Sequence, residues 1–330
     1  MSGPAVAVVG AGSWGTALAV ALARAGRETR LAARTDEAAR ALRAAGENAR
    51  YLPGIRFPDA LEPMADIAAA VDGAEAVLVA VPSMAAEETL AAVARATGAP
   101  VIGAFKGIHP QTLERADALM TRVAGEQRAL LLSGPSFALE VARGQPTAMT
   151  LAASDMARAE ALAPLFSGSN FRIYLSDDMT GVAMGGALKN VVAIAAGMAD
   201  GLALGHNAVA AVITRGLAEM ARLAMACGGR RETLMGLSGL GDLVLTCTGE
   251  LSRNRRFGMA LARGMDVAAA RAHVGQVVEG LETAAAARAL ARERGVEAPL
   301  MEAVHRVLQG ELALEMAVRQ LMTRPSRTEF

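Results

Sequence analysis

The apolar run Ala5–Val9 leads straight into Gly10-Ala11-Gly12-Ser13-Trp14-Gly15, and a helical pattern over Trp14–Ala25 begins inside that turn. A strand that ends in G-x-G-x-x-G and opens a helix leaves little freedom in the fold. Gly10 permits the tight turn, Gly12 lets the backbone come close to a pyrophosphate, and Gly15 allows close packing of helix on strand. The helix N-terminus then offers free amides and a partial positive charge to the phosphates. The first 35 residues are therefore expected to form a β-α-β unit that binds a dinucleotide. A ligand-free glycine turn is the competing reading, and the flanking strand and helix count against it.

The second strand of that unit, Thr29–Ala33, ends at Arg34. Folds that select NAD usually carry Asp or Glu there for the ribose hydroxyls, whereas Arg suits the 2′-phosphate of NADP or stacks on adenine. The cofactor is read as NADP(H) or NAD(H), with the balance towards NADP(H); a solvated strand-end arginine is the plain alternative. Further strands are expected at Ala76–Val81, Val101–Phe105, Ala129–Leu132, Thr147–Ala152 and Phe171–Leu175, with helices at Glu37–Ala45, Ala85–Arg95 and Ala157–Leu165 between them. This alternation predicts the α/β class, an N-terminal Rossmann-like, doubly wound and mainly parallel sheet. Past Asp178 the strand signals stop, and helix-period segments follow at Asp178–Gly197, Ala208–Cys227, Arg253–Ala262 and Glu282–Gly295. The chain of 330 residues suits two domains. They are read as a dinucleotide-binding domain over residues 1–178 and an all-helical substrate-binding and catalytic domain over 179–330. A helix packed against both halves is expected to join them and to leave a cleft.

Composition removes several function classes. Zero formal net charge and 3% aromatic residues give neither the basic excess nor the stacking rings of a nucleic-acid binder. Cys227 and Cys247 are too few for a disulfide framework, and His109, His206, His273 and His305 stand apart, so no metal site is expected. The apolar stretch at Val191–Met198 falls well short of the about 20 residues that span a bilayer. No basic leader precedes Ala5, which predicts a soluble, cytoplasmic protein. The Ala-rich helical half would permit a homodimer.

Of 33 basic residues only Lys106 and Lys189 are lysine. In a chain that uses arginine for generic positive charge, a retained lysine is a candidate for work that needs a compact ammonium able to release a proton. Chance survival is the alternative, so position decides. Lys106-Gly107 follows a strand, as do Gly10–Gly15, Arg34, Pro82-Ser83 and Ser133-Gly134-Pro135-Ser136; ligands in open α/β sheets bind beyond the strand carboxyl ends. Lys189 lies in a helix, on a face shared with Gly185, Ala193 and Gly197. Small residues there either pack against another helix or leave room for a ligand, and a buried amine among them needs a partner. Ser252 is a natural N-cap for a helix whose first turn carries Arg253, Arg255 and Arg256. Those charges oppose the helix dipole unless a phosphate binds there; a solvated basic turn is the alternative. The segment Gly239-Leu240-Gly241-Asp242-Leu243 is read as a loop whose acid either caps a helix or orients a lysine or substrate hydroxyl.

Together these segments resemble the bacterial-type NAD(P)-dependent glycerol-3-phosphate dehydrogenases along the whole chain. The matches are Gly10–Ala17, Arg50–Ile55, Lys106-Gly107, Ser133–Ala138, Gly186–Val191, Thr214–Gly216, Gly239–Leu243, Ser252–Arg255 and Val277–Gly280. Leu-Lys-Asn, Gly-Leu-Gly-Asp-Leu and Ser-Arg-Asn are the family-specific ones. Departures are small: Leu234-Met235 where an aromatic is usual before Gly236, and Ser238 for a common Ala. The resemblance implies reversible hydride transfer between the nicotinamide and C2 of dihydroxyacetone phosphate, giving sn-glycerol 3-phosphate for phospholipid synthesis. It implies that Lys189 exchanges the proton at the C2 oxygen. Lys106, Gly134, Ser136, Asp242, Ser252, Arg253 and Asn254 would join it in holding substrate. Beside the three glycines, Ser13, Trp14, Arg34, Lys106, Ala138, Arg253, Val277 and Glu279 would contact the cofactor. A dehydrogenase of like architecture acting on a β-hydroxy acid is the nearest competing reading. A non-catalytic NAD(P)H sensor is the other, and it would not need the lysines.

Overall fold

Alternate residues of the first strand pack on opposite faces of one sheet, Val6 and Val8 in one core and Ala7 and Val9 in another. Burial on both faces is why such a strand reads as an unbroken apolar run. The structure, a computed structural model, describes residues 5–325; the outer ends of the two expected domains, residues 1–4 and 326–330, lie outside the described residues. The chain divides into two compact units, one made of residues 1–107 and 114–183, the other of residues 108–113 and 184–330.

The first unit holds strands β1 (Val6–Val9), β2 (Thr29–Ala32), β3 (Glu47–Asn48), β4 (Leu52–Arg56), β5 (Leu61–Met64), β6 (Ala76–Val79), β7 (Val101–Gly103), β8 (Ala129–Ser133), β9 (Thr147–Ala152) and β10 (Phe171–Ser176). Eight of them form a sheet in the order β10-β9-β8-β7-β6-β1-β2-β5, and β3 and β4 form a separate hairpin. Every neighbouring pair of the large sheet is parallel except β8 with β9. The strands read from the sequence are all present. Three more, β3 to β5, escape that reading because they are short, and Pro53 and Pro63 interrupt their pattern. Proline is confined to edges and hairpins because it cannot donate to a ladder, and β5 is the sheet's last strand.

Strand β1 has β2 on one side and β6 on the other, so the winding reverses beside it. Such a reversal opens a ligand crevice beyond the strand carboxyl ends. There Gly10 has φ of +114°, and a Cβ on it would lie 2.6 Å from the Ala80 carbonyl oxygen just after β6. Only glycine fits both the backbone angle and the space.

The second unit is helical. Its core gathers around Met184–Met198 of the Lys189 helix, Met179–Gly201, with Leu223, Leu243, Phe257, Ala287 and Met301 from later helices. The division between the two units falls within this helix, after Ala183. The apolar segment here is longer than the sequence run suggested: the helix has 23 residues and a mean hydropathy of 1.5 over an 18-residue stretch, long and apolar enough to cross a membrane. Lys189 and Asn190 break the run in sequence but not the helix. That stretch is wholly buried inside the protein, which is how a core helix meets the same criterion.

Candidate active site

In the first unit, the glycine turn opens the helix Ser13–Arg24, whose N-cap Gly12 supplies no side-chain cap to its first amides. A Cβ added at Gly12 would meet nothing within 4 Å, whereas one at Gly15 would lie 1.9 Å from the Gly10 carbonyl oxygen. The turn thus leaves open space at Gly12 and is tightly packed where helix meets strand. Uncapped amides beside open space fit a dinucleotide phosphate. Ala11, Trp14 and Ala138 are half-buried against one core, and Ser13 Oγ donates to the Tyr51 carbonyl at 2.7 Å. Arg34, two residues beyond β2, is exposed.

The residues after β1, β2, β6, β7 and β8 come to one edge of the sheet, because those five strands run parallel. At that edge the Lys106 ammonium donates to the Gly134 carbonyl at 3.4 Å, and Ser136 Oγ donates to the same oxygen at 3.1 Å. Lys106, Gly134 and Ser136 therefore form one polar group.

In the second unit, Lys189 is 8% exposed and lies in an apolar helix core. Burying an ammonium there is costly unless it is paired and hydrogen-bonded. Both conditions are met: Lys189 Nζ lies 2.5 Å from Asp242 Oδ1 and donates to Thr246 Oγ1 at 2.9 Å. The glycines of the Lys189 face are there for packing. A Cβ at Gly185 would lie 2.4 Å from the Ser238 carbonyl oxygen, and one at Gly197 would lie 2.0 Å from that of Arg255. Burial also pushes the neighbouring Cys247 thiol up to about 12, so it stays protonated and inert.

The Gly-Leu-Gly-Asp segment is not a loop. Leu237–Gly241 is a π-helical turn that continues into the helix Asp242–Thr248. Its glycines suggested a loop, but a Cβ at Gly239 would lie 2.1 Å from the Leu234 carbonyl oxygen, so the position answers a packing need. The turn delivers Asp242, 1% exposed, to Lys189. Asp242 opens that helix, and its carboxylate pairs with Lys189.

Ser252 caps the helix Arg253–Ala262, its Oγ accepting from the Arg255 amide at 3.2 Å. Arg255 pairs with Asp200, while half-buried Arg253 has no ion-pair partner among the described residues. Asn254 Nδ2 donates to Asn190 Oδ1 at 2.9 Å, and Asn190 Nδ2 donates to Glu279 Oε2 at 3.2 Å. This chain ties the start of the Arg253 helix and Glu279 to the residue beside Lys189. Val277 is exposed two residues away from Glu279. Sequence reading missed two participants, Thr246 and the linking role of Asn190. The spacing of Thr246, four residues after Asp242, puts the two on one helix face, a signal that appears only once Asp242 is placed on a helix rather than in a loop.

Comparison with known proteins adds a family to this geometry. Residues 5–159 match the model of the NAD-dependent glycerol-3-phosphate dehydrogenase N-terminus, and residues 178–319 match that of its C-terminus. The chain belongs to the NAD-dependent glycerol-3-phosphate dehydrogenase family. A glycerol-3-phosphate dehydrogenase (NAD(P)+) of Thioalkalivibrio sulfidiphilus is 52% identical over 100% of both chains. One from Xanthomonas euvesicatoria is 48% identical over 98% of this chain and 96% of its own. The crystal structure of the glycerol-3-phosphate dehydrogenase of Coxiella burnetii superposes with a TM-score of 0.91 at 42% identity, covering 97% of this chain and 99% of that one. A ketopantoate reductase of Ralstonia eutropha, 18% identical with a TM-score of 0.60 over 96% of this chain and 99% of its own, shares the fold alone. In this glycerol-3-phosphate dehydrogenase family member, the glycine turn and the Lys189 cluster lie in the segments that the two family models match.

Proposed function

We propose that the chain catalyses reversible reduction of dihydroxyacetone phosphate to sn-glycerol 3-phosphate, a phospholipid precursor, with Lys189 as the proton donor. The observation that carries this reading is the buried Lys189–Asp242–Thr246 cluster, tied through Asn190 and Asn254 to an arginine-bearing helix start. A nicotinamide dinucleotide held at the glycine turn would supply the hydride. Lys189 delivers a proton to the C2 oxygen as negative charge develops there, and its ammonium stabilises that charge before the transfer. Asp242 and Thr246 fix the ammonium's direction, so the proton leaves towards substrate rather than into the core. Arg253 and the amides at the start of its helix hold the substrate phosphate, which sets C2 at the lysine.

In the first unit, Lys106, Gly134 and Ser136 add polar contacts to substrate, and Gly10, Gly12, Gly15, Ser13, Trp14, Arg34, Lys106 and Ala138 form the dinucleotide contacts. In the second unit, Arg253, Val277 and Glu279 are the residues assigned to the cofactor. NADP(H) is the favoured cofactor, on the strength of Arg34. The test is loss of absorbance at 340 nm with dihydroxyacetone phosphate and either NADPH or NADH. Turnover that needs the phosphorylated ketone supports the reading; activity only with a β-hydroxy acid or its keto form would replace it.

A further inference from the structure

The β3–β4 hairpin is attached to the glycine turn by a side chain to which nothing above assigns a role. Asn48 is 3% exposed, and both protons of its amide are used: Nδ2 donates to the Ala11 carbonyl at 2.9 Å and to Thr16 Oγ1 at 2.8 Å. Its Oδ1 accepts from the Tyr51 amide at 3.3 Å. The partners dictate this orientation, since a carbonyl only accepts and an amide N–H only donates. The hairpin holds its place by other means too, because Leu52 and Ile55 are buried in the same core as the helix that follows the turn.

The consequence lies at Gly12, between the two residues that Asn48 grips. The peptide joining Ala11 to Gly12 is trans, so its carbonyl and its N–H point in opposite directions. Fixing the Ala11 carbonyl on Asn48 turns the Gly12 N–H away from the hairpin. Holding Thr16 fixes the first helical turn, where the Thr16 amide donates to the Gly12 carbonyl at 2.9 Å. We propose that Asn48 is a positioning residue for the dinucleotide: through Ala11 and Thr16 it orients the Gly12 amide and the first-turn amides towards the cofactor's pyrophosphate. The inference rests on the reading of this turn as the dinucleotide site.

Direct titration of the full chain with NADPH alone, without substrate, tests it. Asn48→Asp keeps the shape and the Tyr51 contact but replaces both donors with an anion facing the Ala11 carbonyl. It is expected to weaken NADPH binding by about tenfold to a hundredfold, the effect of leaving buried acceptors unmade. Thr16→Val should weaken binding by a smaller factor, and Thr16→Ser, which retains the acceptor, should restore it. Thermal melting of the same variants separates positioning from folding. If Asn48→Asp fails to fold, the Thr16 pair decides alone. Unchanged NADPH affinity in Asn48→Asp, or in Thr16→Val when only that variant folds, overturns the proposal. So does a loss of affinity in Thr16→Ser equal to that in Thr16→Val. Failure of the unsubstituted chain to bind either NADPH or NADH would instead overturn the reading of the turn, a different result.

Discussion

Lys189 and Arg34 carry the sharpest consequences at the scale of single residues. A buried ammonium persists only with partners, and Asp242 and Thr246 supply them, so the lysine is held rather than merely tolerated. Arg34 is exposed, two residues beyond β2, and has no ion-pair partner among the described residues. Its expected work is on the 2′-phosphate. Arg34→Ala should therefore reduce kcat/KM with NADPH by about tenfold or more, the worth of a charge-assisted contact, and affect NADH much less. An equal loss with both dinucleotides in steady-state kinetics would remove that role. Both residues were legible in the sequence, Lys189 as one of only two lysines and Arg34 from its place after a strand. Thr246 was not, because a threonine in an apolar segment carries no signal until the register with Asp242 is seen.

At the scale of elements, the glycine turn separates affinity from stability. Gly12→Ala places its Cβ in open space, so the melting temperature should change little while NADPH binding weakens. Gly15→Ala drives its Cβ against the Gly10 carbonyl and should cost about 1–3 kcal/mol of stability, as overpacking does. Thermal melts and NADPH titrations of the pair check both statements. The helices His206–Ala226 and Pro299–Leu308 are joined by Glu219, whose two carboxylate oxygens accept from the Leu300 and Met301 amides. Burial raises its carboxyl to about 7, against the opposing pull of those amides and of Arg222 and Arg215. An acid raised on folding stabilises most when protonated. Its contribution is thus full below pH about 4.5 and is lost as pH rises through about 7. Glu219→Gln should flatten that slope in melting temperature between pH 5 and 8; an unchanged slope would contradict the assignment. The long strands of the sheet were readable to within two residues because double burial makes them continuous apolar runs. The hairpin and β5 were not, since their prolines and exposed positions mimic loops. The π-helical turn at Leu237–Gly241 was hidden for a related reason: glycines chosen for backbone contact look like glycines chosen for flexibility.

For the whole molecule, the glycine turn belongs to a unit built on a sheet and Lys189 to a unit built on helices. The family likeness covers both, over residues 5–159 and 178–319. A sheet edge suits the cofactor because parallel strands align many loops at one end. A helix core suits the lysine because it can be buried and still paired. Whether Lys189 supplies the proton is decided by two measurements on one variant. In Lys189→Ala, dihydroxyacetone phosphate reduction followed at 340 nm should fall by about a hundredfold or more, the contribution of a positioned general acid. NADPH binding, titrated on the same sample, should stay close to that of the unsubstituted chain. Turnover near the original rate in that variant would mean that Lys189 is not the proton donor.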